Sequence, residues 1–365
     1  MIKIRYGLDL PHMASCGPML ASAAMKTAKK GWTRRDFLKI LSTGAVGGVL
    51  IGAGLGRFRK QGTIFVLKQA RPMLGTLVSI TVHHPDMAFA EKGMEEAFKA
   101  VEKVDRVMSI HRKESDVSRV NALAGRGMVS VDPSLIDVLQ TANRVHAESG
   151  GAFDVTCLPL MRLFGFYSAS LDEKHFPKDA AIQKVMEAQG QKQIQIDEPS
   201  GKIGLAKEGG AIDLGGIGKG YAVDLAAEAL KKEGVENALI DAGGNILALG
   251  SPMGGEGSEK NWRVAIKNPY GDADNPYFET LSLNNSAVAT SGNYEQSVVL
   301  DGRRVGHLFD LRSGRPAESG VSATVAAKTA ALADALSTSA YILGPARMTF
   351  LEKEAKEIYF HGFKG

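Results

Sequence analysis

The chain has 365 residues, 44% apolar and 23% charged, ordinary values for a globular protein with one large domain or two. The formal charge of +4 is unevenly spread: residues 1–69 hold 12 Lys/Arg and 2 Asp/Glu, leaving 32 basic and 38 acidic residues and a net −6 for the rest. That balance excludes a basic nucleic-acid-binding domain.

The N-terminal stretch has the layout of an export leader. In "TRRDFLKILSTGAVGGVLIGAGLG" (33–56), Arg34-Arg35 precede Phe37-Leu38-Lys39 and a mild apolar run rich in Gly and Ala. This is the pattern of a twin-arginine signal. The run is too short and glycine-rich for a good spanning helix. The expected destination is the periplasm, with the leader cleaved or kept as an anchor at the outer face of the inner membrane; no small-residue cleavage site stands clearly after the run. Met25 is a candidate true start. The expected division is 1–69 as leader and basic linker and 70–365 as the functional domain. Of the two cysteines, Cys16 lies in the leader and Cys157 stands alone in the body, in an apolar context that favours a small buried residue over a nucleophile.

In the body, "TLVSITVHH" (76–84) alternates as a strand. Met94, Ala97, Phe98, Val101, Val104 and Met108 then recur on a helical period over 87–108. A second helix follows Asp132 as N-cap and Pro133 in the first turn, and ends at Gly150. Residues 168–192 are polar and read as partly helical; "QIQID" and "KIGLA" read as a hairpin. A helix over Tyr221–Glu233 stops at Gly234; short strand-like runs follow, from "ALIDAGG" (238–244) through "LSLNNSAVAT" (281–290) to "SATVAA" (322–327); a helix covers 330–343 and "KEIYFHG" reads as a last strand. The irregular mixture, with antiparallel-type strands in the second half, predicts an α+β fold.

"AIDLGGIGKGYAVD" (211–224) packs four glycines, a lysine and two carboxylates into one loop, as a phosphate cradle does. It is not a Walker loop, because Gly220 follows Gly218-Lys219 and Asp213 stands where the first glycine belongs. It is not a dinucleotide fingerprint either, because Tyr221 takes the third glycine's place. A tight turn into a helix explains it equally well. "SGGAFDVT" (149–156) and "DAGGNI" (241–246) are two more glycine turns beside an aspartate, and together these loops suggest a cleft lined by backbone amides.

In "ALADALSTSAYILG" (331–344), Asp334 and Thr338 are four apart on one helix face and are hard oxygen ligands of the kind Mg²⁺ takes. Alone, they fit a capping Asp and a buried Thr more readily. "DGRRVGHLFDLRSGRP" (301–316) offers His307 and Asp310 as acid/base candidates. A half-buried strand histidine is the plainer account of His307.

Taken in order, these stretches resemble the ApbE-type FAD:protein FMN transferases. The resemblance runs from about Met73 to the C-terminus on "MLGTLVSI", "ESDVSRVNA", "GGAFDVTCLPLMRLFGF", "AIDLGGIGKGYAVD", "ALIDAGGNI", "SAVATSGNYE", "DGRRVGHLFDLRSGRP" and "ADALSTSAYILG". It implies an ApbE-like α+β fold with packed helices around a flavin cleft. It implies Mg²⁺-dependent (or Mn²⁺-dependent) cleavage of FAD, with FMN passing to a Thr or Ser of an acceptor flavoprotein and AMP leaving. The acceptor would be an electron-transfer or reductase subunit with an S/T-G-A-T-like motif. The metal site maps onto Gly216, Asp334 and Thr338; many relatives carry a hydroxyl at the first of these, so here only the glycine carbonyl could bind. The flavin site maps onto Leu74, His111, Ala152, Phe153, Asp154, Asp213, Lys219 and Phe309; relatives often have Met and Tyr at the first two. His307 is the first choice and Asp310 the second for the base that takes the acceptor's proton. An FAD pyrophosphatase that releases FMN and AMP, or a flavin-binding protein without turnover, would use the same cleft.

Overall fold

The computed structural model describes residues 3–6, 57–61, 63–167, 175–253, 261–268, 270–271, 274–294, 296–345 and 353–362. The twin-arginine stretch (33–56) and Cys16 lie outside them.

Alternation builds the main sheet. Val78, Ile80 and Val82 point to one face of Thr76–His84 and are fully buried, while their neighbours are partly exposed. The sheet has nine strands: β1 (Lys3–Tyr6), β2 (Arg57–Gln61), β3 (Ile64–Met73), β4 (Thr76–His84), β5 (Ala238–Ala242), β6 (Asn245–Leu249), β7 (Ser286–Gly292), β8 (Ser322–Ala327) and β9 (Ala355–His361). Their order across the sheet is β1-β9-β8-β7-β6-β5-β4-β3-β2. Every neighbouring pair is antiparallel except β1 and β9, which run parallel at one edge. The α+β expectation holds.

Two features differ from the sequence reading. The basic linker is strand: β2 and β3 pair from Arg57 opposite Lys68 to Gln61 opposite Ile64, so the boundary expected at 69/70 falls inside β3. The run "LSLNNSAVAT" is two strands, Tyr277–Leu283 and β7, because Asn285 turns the chain at φ 43°.

One face of the sheet carries most of the helices. The described helices are α1 (Met87–Met108), α2 (Asp116–Ala122), α3 (Pro133–Glu148), α4 (Leu158–Leu163), α5 (Asp179–Met186), α6 (Gly218–Lys232) and α7 (Ala330–Leu343). Asp86 and Asp132 cap α1 and α3, each accepting amides of the first turn. The apolar stripe of α1, including Met94, Phe98, Val101 and Val104, joins Val78, Ile80 and Ile240 of the sheet in the main core. α7 is buried almost all round. The hairpin Trp262–Lys267/Tyr277–Leu283 covers the opposite face of the sheet, packing on Ala248, Val288 and Tyr359. A second core holds Leu160, Phe164, Phe166, Val305, Phe309 and Leu311 under α4 and α5.

α6 starts at Gly218, three residues before the expected Tyr221, and so begins inside the glycine motif. Gly220 explains why glycine is used there. A Cβ on it would lie 2.2 Å from the Ala330 carbonyl oxygen, so only glycine lets α6 cross the first turn of α7 this closely.

Candidate functional site

The close crossing of α6 and α7 puts the loop and the predicted ligand pair side by side. A Cβ on Gly216 would lie 3.3 Å from Thr338 Oγ1 and 3.3 Å from the Phe153 ring. The Gly220 amide donates to Asp334 Oδ2 (3.1 Å). Four residues on, Asp224 accepts from the amides of Ala330 (2.7 Å) and Ala331 (2.8 Å), fastening the start of α7 to α6. Burial pushes Asp224 up to about 6 against the pull of those two amides. The Thr338 hydroxyl lies 3.1 Å from Ser291 Oγ on β7.

Asp334 is buried, and burial raises its pKa, with the Lys219 ammonium and the Gly220 amide opposing the rise. A buried carboxylate with one amide donor is short of positive charge. Thr338 stands one helical turn on and Gly216 packs against it, so a set of Asp334, the Thr338 hydroxyl and the Gly216 carbonyl would be hard oxygen throughout and would fit a hard divalent cation. Among the described residues no group of three or more His, Cys, Asp or Glu side chains gathers to hold a metal.

Apart from Phe309, the flavin-site candidates fall into three groups, the second and third tied by the Asp213 amide donating to the Val155 carbonyl (2.8 Å). Leu74 and Gly75 form the two-residue turn between β3 and β4, both at positive φ (53° and 72°). The turn of "DAGGNI" lies against it: a Cβ on Gly243 would meet Thr76 Oγ1 at 2.4 Å. In the second group, Asp213 accepts the Gly215 amide on Oδ1 (2.9 Å) and the Tyr167 hydroxyl on Oδ2 (3.0 Å). The Tyr167 ring meets the His111 ring edge-on at 5.4 Å, and Lys219 Nζ donates to the Gly215 carbonyl (2.9 Å). The third group is Ala152, Phe153 and Asp154. Asp154 Oδ1 accepts from the Thr156 amide (2.8 Å) and hydroxyl (2.6 Å), and its Oδ2 lies 3.3 Å from His146 Nδ1. Phe309 stands apart: its ring packs against Phe164 (4.9 Å) and Phe166 (5.9 Å) in the second core, and its backbone runs in a short strand opposite Pro316.

His307 and Asp310 differ sharply. The His307 Nδ1–H donates to the Gln296 carbonyl (3.2 Å), so Nε2 carries the free lone pair. Burial depresses the imidazole to about 4, with the Lys219 charge adding to the drop and the bond to Gln296 opposing it. The ring is therefore neutral at pH 7 and able to accept a proton. Asp310 holds Arg312 with both oxygens, Oδ1 to Nε (2.7 Å) and Oδ2 to Nη2 (2.7 Å), and Oδ1 also accepts the Arg312 amide (3.0 Å). Both of its oxygens are engaged by Arg312.

The family model for ApbE matches residues 74–360. The chain belongs to the ApbE family. Among curated relatives, it is 33% identical over 257 residues to the FAD:protein FMN transferase of Escherichia coli K12, covering 70% of each chain. It is 30% identical over 315 residues to the FAD:protein FMN transferase of Treponema pallidum, covering 84% of this chain and 86% of that one. Among solved structures, the ApbE protein of Thermotoga maritima matches with a TM-score of 0.71 at 29% identity, covering 80% of this chain and 92% of that one. The flavin transferase ApbE from Vibrio cholerae matches with a TM-score of 0.69 at 29% identity, over 81% and 91%.

In this ApbE chain, three further residues of the site escaped the sequence reading. Tyr167 and Ser291 each follow or sit within quoted motifs, but nothing in their spacing marks a contact. Asp224 closes the glycine motif, and its place one helical turn after Gly220 was the available signal.

Proposed function

We propose that this chain is an FAD:protein FMN transferase that uses Mg²⁺, or Mn²⁺ in its place, at Asp334, Thr338 and the Gly216 carbonyl. The observation that carries the reading is the meeting of a buried, charge-poor carboxylate and a hydroxyl on α7 with the glycine loop and Lys219 of α6. A divalent ion bound there would neutralise pyrophosphate charge. The chain's own groups supply the rest. The Gly216 amide and the Lys219 amide and ammonium hold phosphate oxygens at the start of α6, since the Gly215, Ile217, Gly218 and Gly220 amides bond within the protein. The neutral His307 accepts the acceptor hydroxyl's proton at Nε2. The oxygen so freed bonds to the FMN phosphorus, the bond to the AMP phosphate breaks, and AMP leaves. His307 is a better base than Asp310, whose oxygens are held by Arg312.

The acceptor is a protein with a Thr or Ser flavinylation motif, and the twin-arginine stretch would deliver the folded enzyme to the periplasm or the outer face of the inner membrane. The test incubates the protein with FAD, Mg²⁺ and an exported domain carrying an S/T-G-A-T-like motif. A covalent FMN adduct on the acceptor, found by mass, is the expected result. Free FMN would mean a pyrophosphatase, and unchanged FAD a binding protein. Asp334→Ala should abolish transfer, leave a folded protein, and remove the dependence of rate on titrated Mg²⁺. Parent-like rates in that variant would end the metal assignment.

A further inference from the structure

Four non-glycine residues adopt left-handed backbone among the described residues: Leu74 (φ 53°), Tyr167 (φ 62°), Asn285 (φ 43°) and Asp301 (φ 47°). Asn and Asp enter this region readily, because their short side chains bond locally. A leucine or a tyrosine there is strained. Leu74 is one of the flavin-site candidates. Tyr167 is not, and no packing need explains it: 45% of its surface is exposed, although its hydroxyl reaches the buried Asp213.

We propose that Tyr167 is a substrate-binding residue: with His111 it forms an aromatic corner that receives a planar ring of FAD, while its hydroxyl sets the orientation of Asp213. The assignment rests on the reading of this cleft as an FAD site. Three observations converge on it. The Tyr167 and His111 rings meet edge to face at 5.4 Å, a geometry that leaves a face of the tyrosine open to a third ring. The hydroxyl donates to Asp213 Oδ2 at 3.0 Å, while the other carboxylate oxygen accepts the Gly215 amide of the phosphate loop. The corner is thereby tied to the loop that Lys219 also grips through the Gly215 carbonyl. Strain kept in a half-exposed aromatic residue, one bond away from the anion loop, is what a binding role preserves and a structural role does not require. The left-handed turn aims the side chain back at Asp213; a residue with ordinary φ would send it elsewhere.

The strain makes the proposal testable with opposite signs. Tyr167→Gly suits φ 62° without penalty, so the variant should unfold at a midpoint no lower than the parent. It should nonetheless bind FAD about ten-fold more weakly or worse, the size of loss that removing one aromatic stacking partner gives. Tyr167→Phe keeps the ring and loses the hydroxyl, so it should retain most of the FAD affinity while transferring FMN more slowly at saturation. Titrations with FMN and with AMP identify the ring: a loss confined to FMN places the isoalloxazine on Tyr167, and one confined to AMP places the adenine there. Tyr167→Gly binding FAD, FMN and AMP as tightly as the parent would overturn the proposal. A parent protein that binds no FAD would instead overturn the reading of the cleft, and this assignment would fall with it. Asp213→Ala separates the two failures, since it should weaken FAD binding even where Tyr167→Gly does not.

Discussion

A histidine whose charge is suppressed by burial makes a sharp claim about pH. Burial lowers His307 to about 4 in the fold against 6.5 for an unperturbed ring, the bond to Gln296 opposing the drop and the Lys219 charge adding to it. Its folded pKa is depressed, so the unfolded chain binds more protons between those values, and the stability it confers is gained as pH rises from about 4 to 6.5. As a base, it should work down to about pH 4, well below where an ordinary histidine fails. His307→Asn should therefore slow FMN transfer by about 10²–10⁴-fold at saturating FAD and abolish the low-pH limb of the single-turnover profile. Should the variant bind FAD more weakly yet keep the saturated rate and the limb, His307 holds substrate and does not take the proton. The sequence showed His307 and Asp310 as equals. Only the three-dimensional placement of Arg312, which occupies both oxygens of Asp310, separates them.

Elements were legible where periodicity was strong and hidden where glycine ruled. α1 was readable to its ends, because Met94, Phe98, Val101 and Val104 repeat on one face and Asp86 caps its start. The start of α6 was not, because Gly218 and Gly220 look like loop until their neighbour is known. Their helical use follows from α7: the Gly220 Cα faces the Ala330 carbonyl, and the Asp224 carboxylate accepts from the Ala330 and Ala331 amides of the same turn. A long-range contact of this kind leaves no local mark. Gly220→Ala tests it. On an exposed helix the change would stabilise by about 1 kcal/mol through propensity. Here the Cβ meets backbone at 2.2 Å, so the helices must part and the protein should lose about 1–3 kcal/mol of unfolding free energy in denaturant titrations, with transfer activity falling further because Asp334 rides on the displaced helix. A stabilised Gly220→Ala variant would show that the crossing tolerates separation.

At the scale of the whole molecule, the sheet is a near-continuous antiparallel meander whose β3–β4 and β5–β6 turns come together at one end, through Thr76 and Gly243. The order of glycine turns along the sequence suggested a cleft; the sheet order explains why turns more than 160 residues apart in sequence can share one end of it. None of the described helices is long and apolar enough to cross a membrane. The stretch around Arg34-Arg35 precedes a body whose side chains carry a net −6. The proposed export signal reads the guanidinium pair itself, not positive charge in general, because lysine offers a point charge where arginine offers a planar fork. Replacing Arg34 and Arg35 together with Lys keeps the leader's charge and its apolar run unchanged. The substituted protein should stay in the cytoplasmic fraction, folded and able to flavinylate an acceptor added to that fraction, while the parent is recovered from the periplasm or the membrane. Equal recovery of the double variant and the parent outside the cytoplasm would show that the charge and apolar run suffice and that the arginine pair is incidental.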